Sequence, residues 1–313
     1  METRTKKKIK STALLILVAF IWGFAFVGQR AGNEYVDPFF FIGARMLLGA
    51  LTLSIPVFIK WRKARSRLGD EYKRLSAKEY LSENRLVIKA GFLCGIVLFI
   101  AMGTQQVALV YTTASKAGFL TTLYIVIVPI IGLFLKKPSH WNSWVGVVIA
   151  AVGLYFLTVT DSFYIATGDL ILIVGAFFWA VHIFVIDRYA PHVDVVKMSM
   201  IQFIVVSVLG FVSLIFTGDF FIANMTIDSI IDALPSLMWA GVLSSGLGFT
   251  LQALAQKDAS PTAVAIILSL ESVFGLIGGV LLLNEVVTFK ESIGCVLMFG
   301  AVILSQIPVK RNK

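Results

Sequence analysis

The stretch AGFLCGIVLFIAMGTQQVALVYTTAS, Ala90–Ser115, contains no Asp, Glu, Lys or Arg, and after Lys116 a second such run, AGFLTTLYIVIVPIIGLFL, occupies Ala117–Leu135. Each exceeds the roughly 18 apolar residues that mark a membrane-crossing helix. Neither alternates polar and apolar positions, as strands of a membrane barrel must. A helix closes its own backbone hydrogen bonds, which a hydrocarbon environment requires. A turn near Tyr111–Thr113 splits the stretch into two spans.

Outward from there the pattern repeats. Trp141–Thr160, Met198–Thr217 and Ala233–Gln256 are also free of charge. Ten spans emerge, near 12–29, 39–59, 87–109, 113–135, 141–158, 169–187, 197–216, 231–252, 261–283 and 289–308. Composition agrees: 58% of residues are apolar, against roughly 45–50% in soluble proteins. Charged residues make up 14%, against about 25%. A soluble two-domain protein, a disordered chain and a disulfide scaffold are thereby excluded; the only cysteines, Cys94 and Cys295, read as apolar helix residues. The expected fold class is an all-α polytopic membrane protein. The first span has the basic front of a signal peptide, but its apolar run is too long and no small-x-small cleavage site follows.

The basic residues give a direction. With the N-terminus inside, 23 of the 27 Lys and Arg fall in inner segments; the rest are Arg30, Arg45, Lys116 and Lys290. Positive charge marks the cytoplasmic side, so both termini are expected there, in a multi-pass protein of the cell membrane. The net charge of +9 is then an orientation signal rather than a mark of nucleic-acid binding. The segment 60–85, with nine basic and four acidic residues, is expected to be a solvated cytoplasmic loop, with anionic lipid as a possible partner.

The chain is doubled. Ala19-Phe20-Ile21-Trp22 matches Ala176-Phe177-Phe178-Trp179, and at the same offset Val36-Asp37 matches Val193-Asp194. A second set places Gly103, Ala108, Leu109, Ala114 and Ser115 on Gly248, Ala253, Leu254, Ala259 and Ser260. Residues 1–160 and 161–313 therefore read as two five-helix repeats. Five is odd, so the second copy enters the membrane from the opposite side. Inverted repeats of this kind are common in secondary transporters, with the substrate site near the midplane between them.

These motifs resemble the EamA-type transporters of the drug/metabolite transporter superfamily, over nearly the whole chain. The residues carrying the resemblance are Trp22-Gly23, Arg45, Ala114-Ser115, Pro129, and Ala259-Ser260 through Ser269-Leu270-Glu271 to Leu281-Leu282-Leu283-Asn284-Glu285. Ser272 stands where relatives often have proline, Asn284 where they have glycine, and Lys136-Lys137 where they often have an acid. The resemblance implies a ten-helix carrier of small metabolites, often an exporter of amino acids or related compounds.

Glu271 lies ten residues into span nine, about 15 Å deep and near the bilayer centre. Such a charge must face the bundle interior or water, so it is either a coupling site or a clamp between helices. Arg45, about 9 Å into span two, is a ligand for a substrate carboxylate, an outer gate paired with an acid, a packing residue or a snorkelling side chain. Its repeat-mate is Gln202. Trp22 and Trp179 stand mid-span, away from the interfacial belt, as cavity walls or packing. Tyr124 offers a ring and a hydroxyl, and His182 titrates near neutrality or is simply hydrogen-bonded. Gln105, Gln106 and Gln252 add neutral polar groups. Together they suit a small amphipathic or zwitterionic solute. Lys116 and Lys290 read as interfacial, and Ser260-Pro261 as a helix start.

No His-Glu-x-x-His, P-loop or Gly-x-Ser-x-Gly occurs, so no catalytic residues are assigned and no enzyme is expected, nor any metal or cofactor. A channel or a lipid or solute scramblase without ion coupling stays open as the alternative.

Overall fold

The computed structural model describes residues 2–68, 82–111, 114–158, 167–221, 226–283 and 287–307, and every element among them is helical. In chain order they form α1 (Glu2–Asn33), α2 (Pro38–Leu68), α3 (Arg85–Tyr111), α4a (Ala114–Thr122) with α4b (Tyr124–Phe134), and α5 (Trp141–Thr158). The second half holds α6 (Thr167–Tyr189), α7 (Val195–Phe221), α8, α9a (Pro261–Leu268) with α9b (Glu271–Leu283), and α10 (Phe289–Gln306). Helix α8 joins an α segment Ile227–Met238, a π-helical segment Trp239–Phe249 and a last turn Thr250–Ala255. Eight of these helices are long and apolar enough to cross a membrane; Leu120–Phe134 and Trp141–Leu157 are shorter apolar helices. The protein is a ten-helix membrane protein.

Short polar caps set where the apolar runs begin. Asp37 Oδ1 accepts from the N–H groups of Phe39 (2.6 Å) and Phe40 (3.0 Å) at the start of α2. Its repeat-mate Asp194 accepts from Val196 (2.9 Å) and Lys197 (3.3 Å) at the start of α7. The matched Val-Asp pairs are therefore helix N-caps, which satisfy donors that the first turn leaves free. Ser260 accepts from Ala263 N–H ahead of Pro261, as expected of a helix start. Thr288 and Glu291 form a reciprocal capping box before α10.

The packing is doubled as well. α1 packs on α8 and α9 as α6 packs on α3 and α4, while α2 packs on its own counterpart α7, and α5 on α10. The start of α1 and the end of α10 meet on one face: Lys8 Nζ donates to the Gln306 carbonyl (2.8 Å), and Thr12 Oγ1 to Gln306 Oε1 (3.3 Å). Large apolar side chains such as Ile55, Phe134, Ile215 and Phe216 stand exposed on the outside, as lipid-facing residues do. Glycines bring helix pairs close. A Cβ on Gly91 or Gly95 would strike Ile201 or Val205 of α7, both at 2.6 Å, so this small-xxx-small pair fills an internal interface.

Three expectations change. Residues 60–68 of the expected loop are the end of α2, a helix through Leu68; 69–81 lie outside the described residues. Spans four and nine are each broken rather than continuous, and span eight is partly π-helical. The turn at 112–113, the repeat boundary at 160/161, the side chain of Lys116, Asn284-Glu285 and the basic tail also lie outside the described residues. Lys290 sits with its ammonium 5.5 Å from the centre of the Tyr155 ring.

Candidate functional site

The two breaks lie at matched places in the two repeats. In span four the bonding slips at Leu123, whose N–H reaches the Leu120 carbonyl three residues back. In span nine the slip falls at Ser269-Leu270, with Leu270 N–H on Ile267 and Ser272 N–H on Ser269. Glu271 opens α9b and Tyr124 opens α4b. A carboxylate in the first turn of a helix faces its positive end.

The halves meet at these points. Tyr124 Oη donates to Glu271 Oε1 at 3.1 Å. Thr122 Oγ1 lies 3.5 Å from the same oxygen and 3.2 Å from Ser272 Oγ, and donates to the Gly118 carbonyl at 2.7 Å. Ser272, where relatives often carry proline, thus ties α9b to α4a; the break forms without a proline. Gly23 lets α1 press on the same point: a Cβ there would lie 2.6 Å from the Glu271 carbonyl oxygen.

A cavity opens beside this crossing, lined by Trp22, Gln29, Arg45, Gln105, Thr121, Tyr124, Trp179, Ser244, Phe249 and Glu271. Its volume is about 40 Å³. Six of the sequence candidates therefore share one cavity: Trp22, Arg45, Gln105, Tyr124, Trp179 and Glu271. The two tryptophan rings stand 6.4 Å apart, with Phe249 4.7 Å from Trp22 and stacked parallel to Trp179 at 6.0 Å. Trp22 Nε1 donates to the Ser244 carbonyl (3.1 Å), inside the π-helical segment; such segments recur at functional sites.

Arg45 does not snorkel. It is buried, its guanidinium carbon 5.9 Å from the centre of the Phe41 ring, and Nε and Nη1 have no hydrogen-bond partner. An uncompensated buried cation is strongly unfavourable, so this one invites an anionic group into the cavity.

His182 and Gln202 are not on the cavity wall. They are fully buried behind Trp179, with His182 Nε2 3.2 Å from Gln202 Oε1. Gln29, Thr121, Ser244 and Phe249 line the cavity without having been singled out from sequence. Their residue types are ordinary, and only their helix faces converge. Among the described residues no group of three His, Cys, Asp or Glu is placed to hold a metal ion.

Away from the membrane core, two ion pairs among the described residues cross the face bearing the termini. Lys60 Nζ at the end of α2 meets Asp194 Oδ2 at 3.0 Å, and Lys137 pairs with Asp187 of α6. Burial pushes the Asp194 carboxyl up, but the Lys60 ammonium and two backbone donors more than offset it and leave it below its ordinary value. Its mate Asp37 differs. Burial raises that carboxyl despite the Phe40 and Phe39 donors, and Oδ2 has no partner.

The EamA-like transporter family matches this chain twice, over residues 9–159 and 166–306. An uncharacterized transporter of Archaeoglobus fulgidus is 28% identical over 97% of this chain and 88% of its own length. The uncharacterized transporter YoaV of Bacillus subtilis is 24% identical over 96% of this chain and 97% of its own length. One solved crystal structure superposes with a TM-score of 0.70 at 14% identity, over 95% of this chain and 96% of the other; that likeness speaks for the fold alone.

Proposed function

The chain belongs to the EamA-like transporter family, and from that premise we propose that it is a secondary transporter that exports a small zwitterionic metabolite, such as an amino acid or a related compound. It works by alternating access around the cavity between the repeats. The observation that carries this reading is the pairing of opposite charges on one small wall. Arg45 offers unpartnered guanidinium N–H groups, and Glu271 a carboxylate at the head of α9b. Between them Trp22, Trp179 and Phe249 supply aromatic surface. A solute carboxylate fits Arg45 through charge-assisted hydrogen bonds. An ammonium fits Glu271, in a cavity that Trp22 and Trp179 also line, and indole rings favour cations.

Glu271 is also the coupling residue. Taking up a proton when the amine leaves neutralises the Glu271 carboxylate, so that proton and amine alternate on one carboxylate. The termini and the Lys60–Asp194 face are cytoplasmic, in the plasma membrane, and the basic 60–85 segment rests near anionic lipid.

The substrate is sought by comparing metabolites released by cells with and without the protein. The solute so found is then followed in proteoliposomes under an imposed pH gradient. Wild type is expected to accumulate it, and Glu271→Gln to fold normally but lose the pH-driven component. Unchanged pH dependence in Glu271→Gln removes Glu271 from coupling.

A further inference from the structure

Twelve buried side-chain atoms among the described residues have no hydrogen-bond partner, and half of them belong to α6, α7 and the end of α8: Trp179 Nε1, His182 Nδ1, Ser199 Oγ, Gln202 Nε2, Gln252 Oε1 and Gln256 Oε1. Each unpaired buried group costs about 1–3 kcal/mol, so a concentration of them calls for a physical cause. Helix spacing shows how they gather. Trp179 and His182 share a face of α6, and Ser199 and Gln202 one of α7. Phe249, Gln252 and Gln256 follow one another at three and four residues along α8. Phe249 lies 6.1 Å from His182, and Gln256 Nε2 donates to the Ile183 carbonyl at 3.0 Å. These ends of α6, α7 and α8 all point to the face bearing the termini.

Repeat symmetry explains the position. Trp22 and Arg45 line the cavity; their counterparts at the same offset are Trp179 and Gln202. Trp179 stands at the boundary, and Gln202 is sealed behind it. Within the cluster, Trp179 and Gln202 hold the places that mirror the cavity-lining Trp22 and Arg45, on the side that is shut. Closure is reinforced on its own face by Lys60–Asp194 and Lys137–Asp187.

We propose that His182, Ser199, Gln202, Gln252 and Gln256 form a second ligand station, collapsed in this conformation, that fills with water and receives the solute when the terminus-bearing face opens. Its chemistry differs from that of the cavity. With His182 Nε2 donating to Gln202, the free atoms are donors on Gln202 and Trp179, acceptors on His182, Gln252 and Gln256, and one hydroxyl that serves as either. No fixed charge is present. The station takes the neutral polar groups of a small solute, and it holds them less tightly than Arg45 holds a carboxylate, because charge-assisted hydrogen bonds are roughly twice as strong. The solute is thus held more firmly from one face than from the other. The inference rests on the alternating-access reading, and its test separates the two.

The test uses the full chain with Cys94→Ala and Cys295→Ala, carrying single cysteines, in membranes of known sidedness. The probe is a small cationic methanethiosulfonate that does not cross the bilayer. Lys8→Cys marks the terminus-bearing face, Thr121→Cys reports the cavity, and Ile186→Cys reports dry apolar core beside the station. Ser199→Cys and Gln252→Cys are expected to react from the Lys8 face at least ~tenfold faster than Ile186→Cys, since an open state populated to a few per cent suffices. Equal rates at 199, 252 and 186 overturn the station. If Thr121→Cys still reacts in that preparation, the cavity stands without it. Reaction at 199 and 252 with Thr121→Cys silent supports the station and counts against the cavity. As a second readout, His182→Leu with Gln202→Leu replaces both partners by apolar groups, a change that proteins tolerate better than loss of one partner. Labelling at Ser199→Cys is then expected to fall to the Ile186 level while Thr121→Cys is unaffected. Undiminished labelling at 199 overturns the role of the pair.

Discussion

At the scale of single residues, Glu271 was legible because one carboxylate stands in a span where charge is costly. Its partner Tyr124 was legible as a mid-span aromatic hydroxyl. Thr122 and Ser272 were not, because a hydroxyl on a helix bonds back to its own carbonyls as readily as across to a neighbour; Thr122 does both. Gly23 was visible as part of a motif, but its reason is steric: α1 touches the broken backbone at Glu271. Gly23→Ala therefore puts a methyl 2.6 Å from both the Glu271 carbonyl oxygen and Phe274 Cβ, an overpacking expected to cost about 1–3 kcal/mol. Gly28, in the same helix, has nothing within 4 Å of a built Cβ. Gly28→Ala is expected to gain about 0.5–1 kcal/mol from the stiffer unfolded chain and better helix propensity. Thermal unfolding in detergent should move the two midpoints in opposite directions. A common direction would mean that the α1–α9 contact does not carry the load assigned to Gly23.

At the scale of elements, the ten spans and their order were legible from apolar length alone. The interruptions in α4 and α9 and the π-helical stretch of α8 were not. A break shows in sequence when Pro or Gly marks it, but Leu123 and Ser269-Leu270 are ordinary helix residues, held in place by the helices across from them. The small residues Gly241, Ser244, Ser245, Gly246 and Gly248 were the one available hint at α8. The matched helix starts at Asp37 and Asp194 lead to a paired prediction. Asp194 has its carboxyl lowered. Its contribution is present above the unfolded value and is lost only as pH falls through a still lower one, so it is complete at neutral pH. Asp194→Asn keeps the cap but loses the Lys60 pair, a loss of at most ~1 kcal/mol for a pair this exposed. Asp37 has its carboxyl raised. Its contribution is present below the unfolded value and is lost as pH rises through the higher one, so at neutral pH the buried charge works against the fold. Asp37→Asn keeps the cap, since Asn and Asp serve about equally there, and is expected to raise the unfolding midpoint at neutral pH, with the gain vanishing on acidification. Asp194→Asn is expected to lower it. A gain from Asp37→Asn that persists in acid would remove ionisation as the cause.

At the scale of the whole molecule, the helices pack so that each half contacts the other in the same way. The symmetry is incomplete where it bears on transport. Helix α3 is regular while its counterpart α8 carries the π segment. Arg45 lines the cavity while its counterpart Gln202 is sealed behind Trp179. Among the described residues two ion pairs cross the face with the termini, and the cavity is small, about 40 Å³. A pore would need one continuous polar path. Here the path is interrupted by Trp179 and Phe249, with fully buried side chains beyond them. On the proposed alternating-access reading, solute moves by exchanging which face is open, and a loaded site returns more readily than an empty one that leaves Arg45 without an anion. Vesicles preloaded with the unlabelled solute are therefore expected to take up the labelled solute several-fold faster than empty vesicles. Equal initial rates would show that the two faces communicate through an open path, and the channel or scramblase reading would replace the carrier.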